Sequence, residues 1–265
     1  MASEKVLNYL DTHRQNHVEQ LCDFLRIPSI SSQSEHNEDT KRAAAFVSDE
    51  LKELGLEVEV IDLGGHPLVY AQTEIRPERK TLLFYGHYDV QSVDPLELWD
   101  NPPFEPVIKD GIIYARGASD DKGQVYTHIK ALEAYVREGV ELPVNVKFII
   151  EGEEEAGGES IYKFTEENPA KLACDAVVVS DTTLYNETTP GICYSLKGLA
   201  YMEITVTGPA MDLHSGSYGG TVMNPGNALA TIISKLMDEN GRCLVPGFYD
   251  DVLELDQDER DGFAE

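Results

Sequence analysis

The stretch FIIEGEEEAGG, Phe148 to Gly158, decides how the chain reads. An apolar strand, Phe148-Ile149-Ile150, runs directly into Glu151, Glu153, Glu154 and Glu155. Adjacent carboxylates repel one another, so the strand must end either in bulk water or against a bound cation. Taken alone, EGEEE reads as a solvated turn. The segments around it decide between the two.

Two further apolar runs, TLLFY at 81–85 and AVVV at 176–179, share with VKFII the composition of central strands buried on both faces. LEVEVIDL and PLVYAQTEI read as additional strands, and PVIKDGIIYARG as a hairpin turning on Asp110-Gly111. Helical spacing appears between them. Val6, Leu10, Val18 and Leu21 mark an opening helix that stops near Pro28. Ala43, Phe46, Val47, Leu51 and Leu54 mark a second helix over about 38–54, ended by Gly55. Further helices are expected over about 122–137 and 159–167. Strands alternating with helices give the fold class α/β: a mixed, mostly parallel sheet covered by helices on both faces. After Ser195 the texture changes. GLAYMEITVTGP alternates like a half-exposed strand, and a helix is expected from Pro225 to about Met237. The acidic stretch DVLELDQDERDGFAE shows no closing element. The boundary separates a domain at 1–195 from a second at 196–265.

Composition excludes some classes of function. The 265 residues are 42% hydrophobic, enough for a sizeable core, and carry 21 Lys+Arg against 48 Asp+Glu, a net charge of -27. Such a chain repels nucleic acid and anionic membranes. Most of the acidic surface reads simply as solvated. Cys22, Cys174, Cys193 and Cys243 form no close C-x-x-C pair, which fits a reducing, cytoplasmic setting. The N-terminus lacks the apolar core of a signal peptide, and no run is long enough to span a membrane.

The chemistry collects at the strand ends. TLLFY leads into Gly86-His87-Tyr88-Asp89, the hairpin into Asp120 and Asp121, VKFII into the glutamates, and AVVVS into Asp181. In open α/β sheets, ligands bind outside the carboxyl ends of strands. One imidazole and many carboxylates would meet there, and partial burial without cations would be costly. The glutamates are therefore expected to face metal. Zinc accepts both histidine nitrogen and carboxylate oxygen. Each piece alone has an ordinary reading: His87 as a core histidine, Asp120-Asp121 as a helix cap, Asp181 as a loop cap. Their recurrence after successive apolar strands is the specific signal.

FLRIPSIS, YGHYDVQ, YARGASDDKG, EGEEEAGG, VVVSDT and DLHSGSYGG together resemble the co-catalytic zinc peptidases. These include carnosinase-type dipeptidases, glutamate carboxypeptidase, aminoacylase, and the acetylornithine and succinyl-diaminopimelate deacylases. DLHSGSYGG followed by NPGNALATIISKL looks most like the cytosolic dipeptidase branch. The resemblance implies two divalent metal ions, zinc by default with manganese possible on the same ligands. It implies that His87, Asp120 and Asp181 bind the first metal, that Asp120 bridges to the second, and that Glu155 binds the second. Glu154 is implied as the general base, Asp89 as the group orienting His87, and the Asp120–Asp121 peptide as cis. His214 is implied to reach a partner subunit's site from a ferredoxin-like lid and dimerisation domain, giving a homodimer at full length. The family also has a later histidine on the second metal, and no histidine follows His214. The chain is therefore expected to stop inside the lid. The missing sheet segment should then leave strands such as VKFII with exposed apolar surface, and dipeptide hydrolysis by these residues alone should be poor. The leading functional expectation is metal-dependent hydrolysis of dipeptides or short peptides. N-acyl amino acid deacylation, and a non-catalytic metal-binding or dimerisation fragment, are the alternatives.

Overall fold

The structure is a computed structural model and describes residues 2–186, 188–193 and 195–263. The chain divides into two compact units, 1–194 and 195–265, each considered by itself. The first unit begins with α1 (Ala2–Leu25) and α2 (Asn37–Glu53), followed by β1 (Glu57–Ile61), β2 (Leu68–Gln72) and β3 (Thr81–His87). The hairpin β4 (Val107–Lys109) and β5 (Ile112–Tyr114) comes next, then α3 (Lys122–Arg137) and β6 (Asn145–Glu151). Then come α4 (Ser160–Glu167), α5 (Pro169–Leu172) and β7 (Ala176–Val179). In the hairpin turn, Asp110 and Gly111 both take positive φ, 53° and 82°. That geometry matches the twist of the paired strands and is why Asp-Gly signals a hairpin.

Five strands form one sheet in the order β1-β2-β6-β3-β7. As expected it is mixed: β1–β2 and β2–β6 are antiparallel, while β6–β3 and β3–β7 are parallel. Alternation along each strand gives the sheet two apolar faces. Val69, Ala71, Phe148 and Ile150 face one core, where Ala43, Val47 and Leu51 of α2 meet Val125, Ile129 and Leu132 of α3. Leu68, Tyr70, Leu83 and Ile149 face the other core, covered by Phe164 of α4. Each fully buried Val, Leu, Ile or Phe among them contributes roughly 1.5–3 kcal/mol, so the two cores hold β3 and β6 firmly.

Two expectations about burial change. All seven positions of β6 are buried, so VKFII exposes no apolar face. AVVV forms β7 at the edge of the sheet, where Val177 and Val179 are 54% and 51% exposed. An apolar run has the same composition in a central strand and in an edge strand. Its burial depends on which neighbours pack on it, and periodicity does not carry that information.

The second unit contains α6 (Ser215–Tyr218), α7 (Pro225–Ile233) and α8 (Gln257–Gly262). Asn224 caps α7 by accepting the Gly226 and Asn227 N–H groups. The helix ends at Ile233, short of Met237. GLAYMEITVTGP forms no strand, and Leu199 and Tyr201 are each 92% exposed. A strand needs a ladder partner, and none is present for this segment among the described residues. The acidic stretch, expected to lack a closing element, ends in α8, whose first turn Asp256 caps by accepting the Glu259 N–H.

Candidate metal centre

The register of the parallel strands builds the site. His87, the last residue of β3, pairs with Glu151, the last residue of β6. Tyr85 pairs with Val179, so Asp181, two residues beyond Val179, comes level with His87. Gly86 permits the approach of α3. A Cβ there would collide with Val125 Cγ2 and Asp121 Oδ2. Asp120 closes the loop after β5, and Asp121 is the N-cap position of α3. The Asp120–Asp121 peptide is cis.

His87, Asp120 and Asp181 each offer a ligand atom, and these atoms all lie within 4.8 Å of one another. His87 Nε2 is 3.1 Å from Asp120 Oδ1 and 3.6 Å from Asp181 Oδ2. The other ring nitrogen is committed: Nδ1 lies 3.1 Å from the Asp89 carbonyl oxygen and 3.3 Å from Asp89 Oδ1. His87 and Asp89 are completely buried. The second oxygen, Oδ2, accepts the backbone N–H of Glu155 at 3.1 Å. One buried carboxylate thus steadies both the imidazole and the segment that carries Glu155.

The electrostatics call for a positive charge. Burial alone would lower the His87 pKa, but the hydrogen bond and charge of Asp89, with Asp121 and Asp181, push it up to about 10. A proton on that ring stands where a cation could neutralise the carboxylates. The residues present therefore fit a divalent ion: a borderline nitrogen donor, two oxygen donors from different loops, and an orienting carboxylate behind the imidazole.

The glutamates divide into two pairs. Glu151 is buried and accepts the Tyr85 hydroxyl at 2.8 Å, and burial pushes its carboxyl up to about 7. Glu153 is buried, with Oε1 accepting the His66 N–H at 2.8 Å and Oε2 the Ser160 N–H at 3.1 Å. Gly65 and Gly158 pack so close that a Cβ on either would strike the Glu153 carboxylate. These two glutamates are bound by protein donors, which corrects the expectation that the whole run faces metal. Glu155 Oε2 accepts the Gln91 amide at 2.8 Å, and its carboxyl is raised by burial and by the nearby Asp120. Glu154 is exposed and lines an open crevice with Tyr85, Glu151 and Thr165. Its carboxyl is raised by desolvation and by Glu155, Asp181 and Asp89, against the lowering effect of His87.

His214 belongs to the second unit, where it is exposed and its Nδ1 accepts the Gly216 N–H at the start of α6. The other histidines make local contacts. His66 bridges Ser31 and Thr40, His36 pairs with Asp39, and His17 lies 3.8 Å from Glu133. His13 stacks on Tyr9.

Three neighbours of the site carry roles that the sequence alone did not assign. Asp121 is buried, with Oδ2 accepting the His87 N–H at 3.1 Å. Lys122 is fully buried and donates to the carbonyls of Phe24 and Ile27 at the end of α1. Gln91 holds Glu155. All three stand inside the quoted motifs YARGASDDKG and YGHYDVQ, so position within the motif was the available signal.

An α/β sheet with a His-carboxylate cluster at the ends of its parallel strands makes a candidate metal centre. The chain belongs to peptidase family M20/M25/M40, whose model matches residues 83–254. The Cys-Gly metallodipeptidase of Schizosaccharomyces pombe is 35% identical, over 96% of this chain and 56% of its own length. The human Beta-Ala-His dipeptidase is 34% identical, over 97% of this chain and 54% of its own. The chain spans about half the length of the curated relatives it matches. Among solved structures, an M20 family metallo-carboxypeptidase from Sulfolobus solfataricus superposes with TM-score 0.76 at 37% identity. That match covers 92% of this chain and 55% of the other. Human carnosine dipeptidase 1 superposes with TM-score 0.74 at 31% identity, covering 98% and 58%.

Proposed function

We propose that this chain carries the catalytic metal-binding half of a dipeptidase. The observation that carries the reading is the convergence of His87, Asp120 and Asp181 ligand atoms within 4.8 Å of one another at the strand ends. His87, Asp120 and Asp181 would hold one ion, and Asp120 with Glu155 a second. When bound, two divalent ions, zinc or manganese, supply Lewis-acid polarisation of the scissile carbonyl and acidify the attacking water. The chain's own residues do the rest. Asp89 keeps the His87 ring in the tautomer that presents Nε2. Glu154, exposed and held above the ordinary carboxylate range, takes the proton of the attacking water and returns it to the leaving amine. His214 of a partner copy donates to the developing oxyanion. This last role entails a homodimer.

Relatives named for Cys-Gly and Beta-Ala-His hydrolysis support a dipeptide substrate with a free amino terminus. A cytoplasmic setting is supported by the thiols of Cys22, Cys174 and Cys243, which are free. It is also consistent with there being no helix among the described residues long and apolar enough to cross a membrane. The test is release of amino acids by the full-length protein from a dipeptide panel and from a matched N-acyl amino acid panel. Each is assayed after chelation and again after zinc or manganese is restored. Metal-restored turnover confined to dipeptides is expected. Turnover confined to N-acyl substrates would replace this reading with deacylation, and metal binding without turnover on either panel would leave a non-catalytic module.

A further inference from the structure

We propose that His128 is a positioning residue for the metal centre: by holding Ser180 it fixes the loop that delivers Asp181. The inference rests on the metal-centre reading above and adds a residue that no quoted motif contains.

The geometry begins with α3. The helix starts at Lys122 behind its N-cap position Asp121, so its first turn fixes the adjoining Asp120, one carboxylate arm of the site. His128 lies about two turns further along the same helix. The ring packs on Phe84 of β3, with centroids 4.7 Å apart and planes at 46°. Phe84 pairs with Val178, so the imidazole sits over the seam between β3 and β7. From there Nε2 reaches Ser180 Oγ at 2.7 Å. Ser180 is the residue before Asp181.

Such a contact matters because of where the loop starts. β7 is the edge strand, exposed along most of its length. The ladder to β3 ends at Val179, so Ser180 and Asp181 lie past the last backbone pair. The His128–Ser180 bond ties this free end back to the helical layer. One rigid helix therefore sets both carboxylate arms: Asp120 through its N-terminus and Asp181 through His128. Burial lowers the His128 pKa, so the ring is neutral near pH 7 and bonds the hydroxyl in either tautomer. The competing explanation is packing alone, in which the ring merely fills the seam beside Phe84. A leucine would then serve as well.

The experiment compares wild type with His128→Leu, Ser180→Ala, the double variant and Ser180→Thr, all in the full-length protein. Zinc affinity at one ion per chain is measured by competition with a chromophoric chelator, and thermal melting is followed in the metal-free state. Residues behind metal ligands typically alter affinity 10–100-fold. Because Ser180 acts one residue away from the ligand, each single variant should lose about tenfold, at the low end of that range. The double variant should lose no more than the worse single, and Ser180→Thr should bind like wild type. Wild-type affinity in His128→Leu, or losses that multiply in the double variant, would overturn the proposal. If His128→Leu fails to fold, Ser180→Ala removes only one oxygen and decides the matter by the same readout. The dipeptidase reading fails separately. Weakened zinc binding in a protein that hydrolyses no dipeptide would sink that reading alone, whereas unchanged affinity in an active dipeptidase would sink only this one.

Discussion

Glu153→Gln is the variant that most sharply separates structure from chemistry in EGEEE. The Glu153 carboxylate is buried and accepts two backbone N–H groups, from His66 and from Ser160. A glutamine keeps one acceptor oxygen and turns an amide donor toward the other N–H. One hydrogen bond to a charged group is lost, worth about 1.5–3 kcal/mol. Ser160 also opens α4, so a negative charge there contributes roughly a further 0.3–1 kcal/mol through the helix dipole. The sum is about 2–4 kcal/mol. In a domain of this size each kcal/mol lowers Tm by about 2–4 °C, so a fall on the order of 5–15 °C is expected. Differential scanning calorimetry of the full-length protein reads it, with metal content and dipeptide turnover measured well below the transition. Both should stay near wild type. A variant with unchanged Tm that has lost its metal would show that Glu153 is a ligand and that the assignment of the three glutamates is out of register.

Three other outcomes follow from the same contacts. Glu155→Gln should leave one tightly held ion per chain and remove the second, read by metal analysis after dialysis; two retained ions would clear Glu155 of a ligand role. Gly86→Ala forces a methyl group against Val125 and Asp121, so it should destabilise by roughly 1–3 kcal/mol, the usual cost of overpacking, and weaken metal binding with it. Unchanged melting would mean that α3 can back away from β3. The third concerns Glu133, which accepts the Tyr9 hydroxyl at 2.8 Å and pairs with Lys130 at 2.6 Å. Burial opposes its ionisation, but the bonds from Lys130 and Tyr9 outweigh it and hold the carboxyl below its ordinary value of 4.5. The unfolded chain therefore binds this proton more readily than the folded one. The stabilisation is present above the ordinary carboxylate range and is lost as pH falls through the folded value. Glu133→Gln should lower Tm at pH 7 and have a much smaller effect once acid has protonated the wild-type carboxyl; an equal effect at both pH values would show that charge plays no part.

Much of the first unit was legible because local and tertiary signals agree there. Helix α3 carries its apolar stripe, and β6 is apolar at the positions that two cores then bury. The hairpin turn was legible from Asp110-Gly111 alone. AVVV was misjudged because composition reports a residue's preference, not its neighbours. GLAYMEITVTGP alternates as a strand should, yet makes no ladder. The site was readable as strand-end residues in order, since register converts order into proximity. Composition and spacing could not separate the roles of the glutamates; only the family resemblance assigned Glu154 and Glu155. Glu151, Glu153, Glu154 and Glu155 are the same residue type, and their tasks differ because Tyr85, the His66 and Ser160 amides, the open crevice and Gln91 meet them one by one. Those partners lie up to 87 residues away along the chain.

The most direct test of the whole account is Glu154→Gln in the full-length protein, with bound zinc and dipeptide turnover measured on the same sample. Glu154 is placed as the proton carrier and not as a ligand. The account predicts wild-type metal content with turnover reduced by at least the 10²–10⁴-fold that a general base typically contributes. A variant that loses metal in proportion to activity, or one that keeps both, would contradict it.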